Sequence, residues 1–174
     1  GSVSKEVTIE LRESTFPYLV SETKTVMQNG AEPVTMDFSN VESTKSYYIV
    51  VRYTNGLETW SAQPQFFVNG RMNYDFTTAQ TQAYGCNMVK AGDKWCIISG
   101  DINQDGKINA IDRGICWNDR GTTDVYSDVN HDGVVNELDR TILSKNTFRK
   151  VMCPEGAVVS KNRKNGKSEK TSND

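Results

Sequence analysis

The sequence predicts a mixed fold. An all-β sandwich spans residues 3–99 and packs against a small α-helical domain over residues 100–153, with residues 154–174 as a tail or linker. Three observations carry this. The N-terminal part alternates apolar and polar residues between frequent turn dipeptides. A twelve-residue pattern then occurs twice, and each copy runs into a short amphipathic segment. From Gly156 the chain is rich in Lys, Asn, Ser and Gly and holds almost no apolar residue after Val159, a composition that buries too little apolar surface to order itself.

In the first region, residues 7–11 and 34–38 alternate with period two, and residues 47–53 (Tyr-Tyr-Ile-Val-Val-Arg-Tyr) are rich in β-branched and aromatic side chains. Further strands are expected at residues 23–27, 65–68, 72–77 and 94–98. Asn29-Gly30, Asn55-Gly56, Asn69-Gly70 and Ala91-Gly92-Asp93 mark turns between them. About seven short strands with frequent turns point to two packed sheets. Tyr48, Val50, Arg52, Asn55, Ser61, Pro64 and Phe67 follow the tyrosine-strand, turn and proline-edge pattern of a fibronectin III or immunoglobulin domain. Over those 30 or so residues the chain resembles that class.

The repeat reads Asp101-Ile-Asn-Gln-Asp-Gly-Lys-Ile-Asn-Ala-Ile-Asp112 and, 27 positions on, Asp128-Val-Asn-His-Asp-Gly-Val-Val-Asn-Glu-Leu-Asp139. Oxygen-bearing side chains stand at positions 1, 3, 5, 9 and 12, with glycine at position 6. A calcium ion takes six to eight hard oxygen ligands, and this spacing converges them on one point. The first loop would use Asp101, Asn103, Asp105, the Lys107 carbonyl, Asn109 and Asp112. The second would use Asp128, Asn130, Asp132, the Val134 carbonyl, Asn136 and Asp139. Two calcium ions are therefore expected. Ile108 and Val135, at position 8, should point inward. Ile111 with Ile115, and Leu138 with Ile142, are spaced to share a helical face, so the two helices are expected to pack through those faces.

Position 12 is Asp in both copies and no helix-forming stretch precedes either loop. A duplicated loop followed by a helix, with Asp at position 12, resembles the dockerin type I domain over residues 100–148. That resemblance implies two loop–helix units about a pseudo-twofold axis and a cohesin-like protein partner. Its partner contacts would fall on Ala110, Ile111, Trp117 and Asn118 in the first copy and on Glu137, Leu138, Ser144 and Lys145 in the second. The copies differ at positions 10 and 11, which disfavours symmetric binding in two orientations. A sandwich directly ahead of such a domain resembles the X-module–dockerin pair of cellulosomal proteins. It implies a secreted or cell-surface bacterial protein, a polysaccharide-degrading context and, with no Pro/Ser/Gly-rich linker before Asp101, one rigid body.

Composition narrows the remaining choices. The net charge of −2 gives no electrostatic case for nucleic acid, no apolar run approaches the roughly 20 residues that span a bilayer, and a monomer is expected. Four cysteines, Cys86, Cys96, Cys116 and Cys153, allow three pairings or four free thiols. Cys86–Cys96 with Cys116–Cys153 is the first pairing to consider. His131 is the only histidine and serine nucleophiles lack a base, so catalysis is not expected. Two alternatives to partner binding remain: a calcium-stabilised structural module without a cohesin, and a carbohydrate-binding sandwich using Trp60, Tyr74 or Tyr84.

Overall fold

The computed structural model describes residues 5–28 and 33–160. Its main sheet is built on β1 (Lys5–Glu13), which pairs antiparallel with β2 (Val20–Gln28) on one side and β3 (Ser46–Tyr53) on the other. Two short strands, β4 (Thr59–Trp60) and β5 (Gln65–Phe66), both pair with β3. A separate hairpin joins β6 (Val89–Ala91) to β7 (Lys94–Cys96). Two helices follow, α1 (Ala110–Asn118) and α2 (Glu137–Asn146).

Strand periodicity gives the sheet two different faces. Ile9 stands opposite Val51 and Leu11 opposite Ile49. With Tyr47 these form one apolar layer, covered by Phe38, Val41, Phe67, Met72, Tyr74 and Phe76. The other face carries Tyr48 and Val50. They join Leu57, Trp60 and Ile98 in a core that continues without a break into Ile102, Ile108, Cys116, Val129, Val135, Leu143 and Val151. Sheet and repeat region thus share one core, as the missing linker implies.

The strand expectations at 7–11, 23–27 and 47–53 fall within β1, β2 and β3. Residues 34–38 and 72–77 cover the first face without forming strands, so that layer is irregular chain where a second sheet was expected. Beside those stretches a side chain and a turn take up backbone donors. The main-chain N–H groups of Ser39 and Asn40 donate to the Glu22 carboxylate at 2.7 Å each. Val68 and Arg71 bond to each other around Asn69-Gly70. Among the described residues the β-rich part is one five-stranded sheet and one hairpin.

The expected tail boundary also shifts. Pro154 is buried, and Ala157 and Val159 pack on the shared core. Arg12 donates to the Val158 carbonyl at 2.9 Å, and the Ser160 N–H donates to Glu58 at 3.0 Å. Residues 154–160 are therefore a strap across the sheet, held because Ala157 and Val159 still supply apolar surface and buried Arg12 and Glu58 supply polar partners. The rest of the tail expectation, residues 161–174, lies outside the described residues, as does the Asn29-Gly30 turn. Beneath the strap, Arg12 and Arg52 both pair with the buried Glu10, an arrangement in which removing one partner strands the other charges.

All four cysteines are free thiols: Cys86 exposed, Cys96 and Cys153 half-buried, Cys116 buried. Neither Cys86–Cys96 nor Cys116–Cys153 is bonded. Cys116 instead turns into the helical core, its thiol 3.9 Å from the Ser127 carbonyl.

Candidate metal centre and interaction face

Each loop is shaped by its own carboxylates. In the first, Asp101 accepts from the Asp105 N–H at 3.1 Å and the Gly106 N–H at 3.0 Å. Asn103 accepts from Asp105 N–H at 3.1 Å. Asp112 accepts from Ile102 N–H at 2.9 Å and Asn109 N–H at 2.8 Å. The second loop repeats these contacts except that Asn130, the counterpart of Asn103, donates to Asp139 where Ile102 donates to Asp112. Asp128 accepts from Asp132 and Gly133 at 3.1 and 2.8 Å, and Asn130 from Asp132 at 2.9 Å. Asp139 accepts from Asn130 and Asn136 at 3.1 and 2.8 Å. Gly106 and Gly133 make the central turn at φ +86 and +97, a region glycine enters without steric cost.

The last loop residues also begin the helices. Asn109 and Asn136 are N-caps, accepting from the N–H of Ile111 at 2.8 Å and of Leu138 at 2.7 Å, and Asp112 and Asp139 complete the capping boxes. This corrects the expected helix faces. Because Asp112 and Asp139 turn back into their loops and are fully buried, the residues one turn on, Cys116 and Leu143, are the ones that enter the core. Ile115 and Ile142 pack at its margin. Ile111 and Leu138 rotate outward and are 58% and 59% exposed.

A pseudo-twofold relation is visible in the backbone. Val135 exchanges bonds with Gly121 and Thr122 at 2.8 and 2.9 Å, while Ile108 exchanges bonds with Phe148 and Arg149 at 2.9 Å each. A shift of 27 residues interconverts the two sets. Ile108 and Val135 are both buried, as position 8 requires.

The sheet grips both loops at one residue. The Asn55 carbonyl accepts from Gly100 N–H at 2.7 Å and Asp101 N–H at 3.0 Å, and its amide donates to the Asp128 carbonyl at 3.0 Å. Gln104 donates to the Thr54 carbonyl. Gly100 sits at φ +124, where an added Cβ would lie 2.9 Å from Leu143, so this joint closes only around glycine. Local sequence marked Asn55 as a turn residue and gave no signal for its contacts, which span 45 to 73 positions.

The donor set fits a hard cation. Each loop gathers carboxylate and amide side chains, and among the described residues no Lys or Arg forms an ion pair with any loop carboxylate. Burial pushes Asp101 up to about 7, with Asp112 and Asp105 adding repulsion against the Gly106 hydrogen bond, and burial also raises Asp112. Such carboxylates call for a cation to be ionised at neutral pH. Among the described residues no three His, Cys, Asp or Glu side chains form a metal cluster by themselves. A loop of this kind also depends on amide and main-chain oxygens.

The eight expected contact residues all lie on the surface or its margin. Ala110, Ile111, Asn118, Glu137, Leu138, Ser144 and Lys145 are exposed. Trp117 is 46% exposed, with the guanidinium groups of Arg120 and Arg140 over its ring at 4.2 and 4.4 Å. It faces solvent and does not pack on the sheet. By contrast Trp60 is fully buried. Tyr74 and Tyr84 are half-buried, Tyr74 bonded to the main chain at Ala62 and Gln82 and Tyr84 edge-on to Tyr48.

Residues 99–148 match the family model of the dockerin type I domain. The match begins at the residue before Gly100, takes in both loops and both helices, and ends at Phe148. The sheet and the strap lie outside it. No curated protein and no solved structure matches the chain. Among the described residues no helix is long and apolar enough to cross a membrane.

Proposed function

We propose that the dockerin-like region is a calcium-dependent protein-binding unit that docks onto a cohesin-like module and anchors a secreted bacterial protein at the cell surface or in a polysaccharide-degrading assembly. Each loop holds one calcium ion through the six residues expected for it. The sheet and the strap stiffen the unit, which works as one monomeric body. It carries no catalytic centre and binds neither nucleic acid nor membrane. The observation behind this reading is the pairing of two near-identical carboxylate networks lacking counter-cations with apolar residues held outward at Ile111, Leu138 and Trp117.

Calcium supplies charge compensation when bound. The chain's own residues do the rest: Asp112 and Asp139 join loop to helix, so an ordered loop fixes the helix start and the direction of Ile111 and Leu138. The test is calorimetric titration of purified cohesin modules into the full chain, with calcium and with chelator. Saturable binding in calcium, lost on chelation and weakened at least tenfold by Trp117→Ala or Ile111→Asp, is expected. Equal heats in both conditions remove the proposal.

A second reading is favoured by Asn55, which couples both loops to the sheet: calcium serves as a structural clasp and no cohesin is involved. Calcium-dependent melting without binding to any cohesin selects it. The carbohydrate-binding alternative loses its main candidate because Trp60 is core.

A further inference from the structure

Between α1 and α2 lies a groove of about 360 Å³, floored by Gly114 and Leu143 and walled by Arg113, Trp117 and Arg140. We propose that this groove seats an acidic protein segment, with an apolar side chain of the partner on Gly114 and carboxylates on either side against Arg113, Arg120 and Arg140. The inference rests on the protein-binding reading above and adds the chemistry and the orientation of the partner.

Glycine inside a helix destabilises it relative to alanine. Gly114 sits mid-helix, yet an added Cβ there would meet nothing within 4 Å. No packing inside the chain calls for glycine at that place, and its missing side chain leaves the groove open to a body from outside. Trp117 lies beside it and is already oriented by two guanidinium groups, so little side-chain freedom is lost on docking. The rim is cationic in a chain whose net charge is −2. Arg140 pairs with Glu137, and Arg120 makes one bond to the Trp117 carbonyl. Arg113 has no side-chain hydrogen bond or ion pair among the described residues, which leaves its charge for a partner. The feature exists once: the second repeat has Thr141, Ser144 and Thr147 where the first has Gly114, Trp117 and Arg120. The partner therefore docks in a single orientation. The Leu143 floor suits an apolar side chain.

Fifteen-residue peptides selected from a random displayed library against the full chain in 2 mM calcium (on the order of extracellular calcium-module affinities) provide the test. Selected peptides are expected to carry Asp or Glu flanking an apolar residue. Their Kd should rise about tenfold between roughly 0.05 and 0.5 M salt, as exposed charge pairs are screened. Arg113→Glu should weaken them at least tenfold and Gly114→Leu should abolish binding. Gly114→Ala should raise the calcium-loaded Tm by about 2–3 °C while weakening the same peptides, a split that a purely structural glycine would not give. Peptides without acidic bias, or binding indifferent to Gly114→Leu and Arg113→Glu, overturn the inference. So does binding of polygalacturonate in the groove where no peptide binds. A cohesin module that binds both variants at full strength overturns this inference alone. Acidic peptides held in the groove with no cohesin binding support it and remove the cohesin reading.

Discussion

Phe148 occupies a place in the fold where the other repeat of the same chain carries glycine. It has φ +73 and is 92% exposed, and its pseudo-twofold counterpart is Gly121 at φ +80. Both donate to the buried position-8 residue of a loop, at 2.9 and 2.8 Å, so both must hold the left-handed conformation. For a residue with a Cβ that conformation costs about 1–2 kcal/mol. Phe148→Gly relieves this, gives up about 0.4–1 kcal/mol through a freer unfolded chain, and loses little burial. The net expectation is a gain of about 0.5–1 kcal/mol. In a chain of 174 residues that raises Tm by about 1–4 °C. The reciprocal Gly121→Ala should lose about 1 kcal/mol. Urea denaturation and calorimetry in saturating calcium measure both. A Phe148→Gly variant no more stable than the parent, beside a destabilised Gly121→Ala, would refute the reasoning and assign the ring a stabilising contact.

Other expectations follow from the loops and their joint. Burial raises Asp101 to about 7 and raises Asp112 and Glu58, so these carboxyls hold more protons in the calcium-free fold than in the unfolded chain between about pH 4 and 7, an excess that the lowered His131 reduces only in part. The stability of that fold should fall as pH rises through that window, by at most a few kcal/mol, and level off above it; a Tm in chelator that climbs over the same range would contradict this. Asn55→Ala removes the amide that holds the Asp128 carbonyl and should cost about 1–3 kcal/mol. It should also weaken calcium at the second loop, and unchanged titrations would show that Asn55 does not set loop geometry. Asp112→Ala and Asp139→Ala should each halve the calcium stoichiometry seen by calorimetry and shorten one helix by circular dichroism. Native thiol labelling should modify Cys86 quickly and Cys116 only on unfolding, as their exposures require; rapid modification of Cys116 would show an open helical core.

The repeat region was legible because its constraints are local. Twelve residues fix which side chains turn inward, where the glycine must stand and where the helix begins, so the spacing of Asp101 to Asp112 already contains the capping box. The helix rotation was missed by one residue. Ile111–Ile115 spacing suits an apolar face, but Asp112 is bound to the loop and sets the rotation first. In the β-rich part, residues 34–38 and 72–77 alternate like strands, yet alternation alone supplies no partner strand, and the chain beside them bonds instead to Glu22 and around the Asn69-Gly70 turn. The strap and Asn55 depend on contacts between distant segments, for which no local pattern exists.

The shared joint at Asn55 also decides how the molecule meets tension. A pull applied between the sheet and a body seated on α1 and α2 is shared by the common core, the Ser99–Gly100 backbone and the bonds from Asn55 to Gly100, Asp101 and Asp128. Those bonds end on the first residue of each loop. Stretching the joint would drag Asp101 and Asp128 away from the rest of their loops. In the proposed calcium-bound state, an ion bridging each loop would resist that motion directly.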